Sequence, residues 1–488
     1  MSRPTLNTLK KFSKTLALRQ ANAIQTKAAG DISSVFPSLS GNGLKPLPER
    51  FADLQKNLVV GRKQPIVDAW TRLLASLEKE TKEIKARGSH IIPLVDFRKD
   101  IIVDSRNGQA TFKDPEVIEE IRKRGVVVIR NVLDKDVARS YKFDAEKYIK
   151  SNPSVVAFPK NNPSVYELYW SPSQLHARSH PNVLLAQKAL MSLWHSSENE
   201  SQLSTQQPLI YADRLRIRLP GDAQFTLGPH IDGGSIERWE DPEYSRVYDK
   251  ILKGNEWELY DPYDYAHRID AVTDMYGGGG ACSMFRMFQG WMAMSNTGPG
   301  EGTLRVYPLL KQATAYVILR PFFDAQTATK FVAPSVSFPN TALGAAQELS
   351  PATHPQLELE SSMIPVPSVQ PGDYVAWHCD TIHSVDARHD GKSDSSVLYI
   401  PAVPMTVPNL RYLVRQREAY ESLSPPPDFP DAGGKGESEF AGHGSERDFA
   451  SAEGMRAAGC GSMKWNVADA VSAAERVLIE KANQIVFE

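Results

Sequence analysis

In the stretch LGPHIDGGSIERW, residues 227–239, a histidine and an aspartate stand one residue apart just before a glycine pair. Alternate residues of an extended chain project to one side, so His230 and Asp232 at a strand end can offer an imidazole and a carboxylate to one cation. A turn histidine beside a turn aspartate needs no metal, however, so the pair alone does not separate a surface turn from part of a metal centre. Non-haem Fe(II) centres take two histidines and one carboxylate on one face of an octahedron and leave the remaining positions open. Zinc accepts similar donors, usually in a tetrahedral arrangement. A second histidine is therefore required. Of the eleven in the chain, His378 and His383 in GDYVAWHCDTIHSVD are the best placed, at the end of an apolar strand begun by a Gly-Asp turn. Only one of them can complete the set.

The elements that must carry these residues are strand-like. RLRIRL (Arg214 to Leu219) alternates strictly, three arginines against three aliphatics, so one of its faces is solvated or lines a polar cavity. FRMFQGWMAMS, GTLRVYPLL, TAYVILRPFF and GDYVAWHCDTIHSV read as further strands separated by Gly, Pro and Asn turns. Earlier in the chain Ile66, Trp70, Leu73, Leu74, Leu77 and Ile84 share one face of an amphipathic helix. EEIRKRGVVVIRNVL turns from helical spacing to a β-branched run at Val126 to Ile129. The pattern is a strand-rich centre with helices at the N-terminal end and in insertions, not a doubly wound sheet. The glycine run in YGGGGACSMF lacks the lysine of a phosphate-binding loop. SPPPDFPDAGGKGESEFAGHGSERD, poor in large apolar residues, reads as an extended or mobile excursion.

Bulk properties narrow the function classes. With 488 residues, 41% of them hydrophobic, the chain can bury a large core. Its three cysteines are scattered without a CxxC pair, which argues against a zinc ribbon or a disulfide framework and fits a reducing compartment. A net charge of −2 gives no field that would draw nucleic acid or an acidic membrane, and no apolar run reaches the length of a membrane span. The reading is a soluble cytoplasmic protein, monomer or homodimer, acting on a small molecule. Residues 1–30 carry Arg3, Lys10, Lys11, Lys14, Arg19 and Lys27 and no acid, so a cleavable mitochondrial presequence is the alternative to a surface helix. The expected organisation is a basic leader and linker over 1–47, helices and first strands over 48–205, a catalytic core over 206–415 and a C-terminal extension over 416–488.

The order HIDGG, GEGTLRVYP, GDYVAWHCDTIHSV resembles the motif series of the phytanoyl-CoA dioxygenase-like branch of the Fe(II)/2-oxoglutarate oxygenases. The segments LPERFADLQ, RLRIRLPGD, GPHIDGGSIERWE, YDPYDYAHR, FRMFQGWMAMS, PGDYVAWHCDTIHSV, LYIPAVP and PPPDFP are similar to the YbiU-like family, across nearly the whole chain outside the leader. The resemblance implies an α+β fold with a double-stranded β-helix (jelly-roll) core, N-terminal helices and helical insertions. It also implies His230, Asp232 and His383 as iron ligands, with 2-oxoglutarate as cosubstrate and O2 as oxidant. His378 then falls where a histidine that supports the ligands or simply packs is expected.

One departure stands out. The oxygenases of this group usually hold the far carboxylate of 2-oxoglutarate with an arginine shortly beyond the distal histidine, where this chain has Asp394, Ser395 and Ser396. Another guanidinium must substitute, because a dicarboxylate calls for a bidentate cation. Arg286 is the first candidate, since an arginine in an apolar strand is costly unless it meets an anion, whether ligand or buried acid. Arg216 and Arg388 follow. Arg214, Phe288, Trp291 and Trp377 are candidates for the substrate wall, with Trp239 beside them, although aromatics in strands also serve simply as core. The expected reaction is hydroxylation, desaturation or ring closure at a C–H bond of a small carboxylate-bearing molecule such as a free amino acid. The alternatives are a non-catalytic sensor that binds metal and 2-oxoglutarate, and an O2-independent cupin-like hydrolase or isomerase.

Overall fold

The computed structural model describes residues 27, 32–34, 36–40, 45–198, 202–279, 281–332, 334, 336–430 and 435–488. Apart from Lys27, the basic leader lies outside the described residues. Two sheets carry the centre of the molecule. Their strands are β1 (Leu94–Asp96), β2 (Val126–Arg130), β3 (Ala157–Phe158), β4 (Val165–Tyr166), β5 (Leu215–Arg218), β6 (His230–Ile231), β7 (Phe288–Ala293), β8 (Leu304–Val306), β9 (Gln347–Glu348), β10 (Ile364–Pro365), β11 (Tyr374–His378), β12 (His383–Val385) and β13 (Ser395–Tyr399). The larger sheet runs β1-β2-β11-β7-β13-β5-β4-β3 and the smaller runs β9-β6-β12-β8-β10. The architecture is mixed α+β. From β5 onward the chain passes repeatedly between the sheets: β5, β7, β11 and β13 lie in the larger, and β6, β8, β10 and β12 in the smaller.

Side chains alternate across each strand, and this period of two sorts the sequence into two cores. Trp291, Ala293, Val375, Trp377 and Val397 of the larger sheet join Leu304, Val306 and Ile382 of the smaller one in a single buried cluster. Their immediate neighbours Phe288, Met292, Tyr374, Ala376 and Leu398 belong to a second cluster on the outer face, which the helices Lys135–Ser151 and Pro181–Met191 cover. The amphipathic helix read from the sequence forms as α1 (Lys63–Arg87), with Ile66, Trp70, Leu73, Leu77 and Ile84 buried. Trp70 stacks on Tyr316 and Phe323, with ring centroids 4.9 and 4.3 Å away, and donates its indole N–H to the Ala328 carbonyl.

Two elements differ from expectation, and one open alternative is settled. TAYVILRPFF is not a strand: it lies largely in the helix α2 (Leu310–Leu319), packed against α1. Its residues are buried on every side, and a continuous apolar run carries no period by which helix and strand can be told apart. RLRIRL takes the second of its two expected forms: all four residues of β5 are buried, and Arg214 and Arg216 line a cavity rather than face solvent. The proline-rich segment after Ser424 is tied into the fold. Asp428 accepts from the Tyr211 and Ser283 hydroxyls at 2.8 and 2.7 Å, and Glu437 accepts from the backbone N–H groups of Tyr169 and Trp170 at 2.6 and 2.9 Å. Composition reported its shortage of apolar residues but not these two buried carboxylates, which bind it through polar contacts instead. Among the described residues no helix is long and apolar enough to cross a membrane.

The turn into β11 depends on Gly372. Its φ is +89°, a Cβ there would lie 2.2 Å from the Leu133 carbonyl oxygen, and its own carbonyl accepts from the Val132 and Leu133 N–H groups. Gly372→Ala is expected to cost about 1–3 kcal/mol from backbone strain alone, read as a lowered midpoint in urea unfolding.

Candidate metal centre

His230 opens β6 and His383 opens β12, and the two residues face each other directly in the antiparallel pairing of those strands. Their rings lie 4.0 Å apart between centroids. Asp232 follows β6 and turns its carboxylate to both: Oδ1 is 3.7 Å from His230 Nε2, and Oδ2 is 3.6 Å from His383 Nε2. One donor atom from each of the three lies within 4.8 Å of the other two, the grouping a single metal ion requires. The other ring nitrogens are committed to backbone carbonyls, His230 Nδ1 to Gly228 at 2.7 Å and His383 Nδ1 to Thr381 at 3.1 Å. Such bonds set the tautomer that leaves each Nε2 lone pair free for a cation. Gln289, on β7, donates its side-chain amide to Asp232 Oδ2.

The electrostatics favour the ligating forms. Burial, and next the charge of His383, lower the His230 pKa to about 4, so its imidazole is neutral near pH 7. Burial alone would raise the Asp232 carboxyl, but its hydrogen bond to His383 and the charges of His230, His383 and Arg286 outweigh that, and the group stays ionised. Two imidazole nitrogens and one carboxylate suit a divalent ion of the first transition row.

His378 is excluded by the strand period. It lies one residue beyond Trp377 on β11 and so on the opposite face of the sheet. There it stacks on Trp194 at 4.6 Å, its Nε2–H donates to the Pro262 carbonyl, and its Nδ1 accepts from the Asp380 N–H. It also belongs to a second group of potential donor atoms with Cys379 and Asp380, but Asp380 is already paired with Arg268 at 2.6 Å.

The triad opens onto a cleft between the sheets whose lining includes Arg214, Arg216, Arg286, Trp291 and Trp377. The arginines differ in what they have to spare. Arg214 is held by Asp213 at 3.2 Å and lies 3.7 Å from Glu167. Arg216 donates one N–H to the Gly302 carbonyl at 3.1 Å, while its buried Nε has no partner among the described residues. Arg286 stands just before β7 rather than within it. Burial disfavours its charge, but Cys282, Tyr211, Asp232 and Asp213 more than offset that. Its guanidinium lies 5.8 Å over the Tyr211 ring.

The remaining candidates lie elsewhere. Arg388 is 65% exposed and paired with Asp390 at 2.6 Å. Phe288 is on the outer face of β7, and Trp239 packs on Phe338 with its indole N–H on the Ile318 carbonyl. Arg218 is bound by Asp222 and by the Asp386 and Ala387 carbonyls. Asp394, at the position where the sequence resemblance called for an arginine, is gripped by Arg139 at 2.7 and 2.8 Å.

Several lining residues were not singled out from the sequence. Gln289 shares the inward face of β7 with Trp291, a period-two signal that was available. Glu237 opens the short helix Glu237–Glu240 and Asp274 lies in a loop, and neither carries a local pattern. Glu237 is 2% exposed, and burial raises its pKa to about 7.

A family model described as Gig2-like matches residues 45–460. The chain belongs to the Gig2-like family. It is 33% identical over 383 residues to the uncharacterised protein YbiU of Escherichia coli K12, covering 76% of this chain and 86% of that one. The crystal structure of GlcNAc Inducible Gene 2, GIG2, from Candida albicans is similar with a TM-score of 0.80 at 32% identity, over 91% of this chain and 96% of that one. A hypothetical protein of Escherichia coli, JW0805, is similar with a TM-score of 0.72 at 30% identity, over 85% and 98% of the two chains.

For this Gig2-like protein, His230→Ala, Asp232→Ala and His383→Ala are each expected to abolish stoichiometric Co(II) binding in calorimetry, whereas His378→Ala keeps it. Gln289→Leu, which removes the donor to Asp232, is expected to weaken Co(II) by about 10–100-fold.

Proposed function

We propose that this protein is a non-haem Fe(II)- and 2-oxoglutarate-dependent oxygenase acting on a C–H bond of a small carboxylate-bearing molecule. The observation that carries the reading is the His230–Asp232–His383 grouping, placed across paired strands and facing a cleft with three arginines. In its support, the orders β5-β13-β7-β11 in one sheet and β6-β12-β8-β10 in the other fit a jelly roll of two packed sheets. The donor set also fits iron, since both free imidazole nitrogens and an ionised carboxylate face one point.

Iron held there, with 2-oxoglutarate and O2, supplies an oxidant for unactivated C–H bonds; in a hydroxylation R–H, 2-oxoglutarate and O2 become R–OH, succinate and CO2. The chain's own contribution is binding and exclusion. Asp232 stays charged against Gln289, and both histidines are held in one tautomer by backbone carbonyls. Trp291, Trp377, Leu304 and Val385 form an apolar side of the cleft that keeps water from the reacting centre. Arg286 and Arg216 are the guanidiniums with donors to spare. We assign the far carboxylate of 2-oxoglutarate to Arg286, which lies toward Asp232, and a substrate carboxylate to Arg216, whose unpartnered Nε favours an incoming anion.

With Fe(II), 2-oxoglutarate and O2, succinate is expected to form at a basal rate that rises with a carboxylate substrate drawn from an amino-acid panel. Metal binding without succinate across that panel would leave a sensor or an O2-independent enzyme as the reading. Removing one partner of a buried charge pair costs about 2–5 kcal/mol, so Arg286→Leu is expected to raise the 2-oxoglutarate dissociation constant by roughly 30-fold or more. If Arg216→Leu does so instead, the two roles exchange.

A further inference from the structure

Of three residues that precede the family match, Phe36 lines the metal cleft and Lys27 and Ser38 hold residues in or beside its lining. Lys27 extends its ammonium between two carboxylates, 2.8 Å from Asp274 and 2.8 Å from Asp428, and donates also to the Ala281 carbonyl. Three acceptors thus meet the three donors of one ammonium. The side chains of Lys27, Asp274 and Asp428 are 8%, 5% and 1% exposed. Nine residues on, Phe36 is 4% exposed, lines the cleft and sets its ring edge-on to His230, with centroids 4.8 Å apart and planes at 79°. Ser38 then bonds Glu348 through its backbone N–H at 3.2 Å and through its hydroxyl. Glu348 is the residue that pairs with His230 across β9 and β6, so Phe36 and Ser38 engage the same rung of the sheet.

We propose that Lys27, Phe36 and Ser38 form a fixed wall of the metal cleft, anchored by the Lys27 ammonium, and that Phe36 is a positioning residue for the His230 imidazole. A buried ammonium and two buried carboxylates are stable only together, because removing the cation leaves two desolvated like charges side by side. The surrounding charge agrees: burial works against the Lys27 ammonium, yet Asp428 and Asp274 raise its pKa overall. Phe36 in turn leaves the His230 ring no room to tilt away from the ligating position on that side. A chain trimmed beyond Lys27 would lose the anchor, so the wall and a presequence cleaved near residue 30 are incompatible.

Cys282 reports on the wall without any reference to oxygenase chemistry, because it lines the cleft next to Ala281, the acceptor of the Lys27 ammonium. In the full chain at pH 8, N-ethylmaleimide labelling of Cys282 read by peptide mass spectrometry is expected to be at least tenfold faster in Lys27→Ala and Phe36→Ala than in wild type. Labelling of buried Cys460 should not change, and Lys27→Arg, which keeps the cation, should stay near wild type. Equal Cys282 rates in wild type and in Phe36→Ala overturn the wall, and this comparison stands even if Lys27→Ala fails to fold. For the positioning role, the visible absorption of the Co(II)-loaded protein should shift in Phe36→Ala and not in Lys27→Arg; an unchanged spectrum overturns it. If wild type takes up no Co(II), the metal reading and the positioning role that depends on it fall together, while the labelling comparison still decides the wall.

Discussion

His383 lies opposite His230 across a single antiparallel pairing, with the Asp232 carboxylate reaching both. Most of the site follows from that rung. The two imidazoles come from segments far apart in the chain, and only the closing of β12 onto β6 brings their nitrogens to one point. The backbone carbonyls of Gly228 and Thr381 then hold the rings, so the geometry of the group is a property of the main chain as much as of the side chains. Such preorganisation limits the reorganisation required when a cation binds.

The alternation of side chains along the strands does the sorting around it. On β7 it turns Gln289 and Trp291 toward the cleft and Phe288 toward the outer core, and on β11 it turns Trp377 inward and His378 outward. On β5 it sends Arg216 and Arg218 between the sheets while Leu215 and Ile217 face the helices. Each inward arginine needs partners there. Arg218 finds them in Asp222 and two carbonyls, and its role is structural; Arg216 keeps an unpartnered Nε beside the cleft.

Much of this was legible in residue order. The alternation in RLRIRL, the β-branched run before Asn131 and the Gly-Asp turn into β11 are local signals, and the elements formed where those signals lie. The Thr314–Phe323 run was misread because a segment buried on all sides has no polar face to give its period. The segment after Ser424 was misread because it is held by Asp428 and Glu437, and composition counts such carboxylates as marks of solvent exposure. The solvated alternative for the arginines of β5 failed for a related reason: alternation distinguishes two faces but does not say what covers the polar one.

The sequence by itself determined which residue types could serve a metal, that His230 and Asp232 can project to one side, and that strands would carry them, because those properties depend on neighbours within a few residues. Only the tertiary structure decided that His383 rather than His378 completes the group from this chain's own geometry, which arginines face the cleft, and that Phe36 lines it from the other end of the chain while Lys27 holds Asp274 and Ala281 of its lining. Those outcomes depend on which strands pair and which loops fold over them, and such long-range contacts leave no periodicity in the residues that make them.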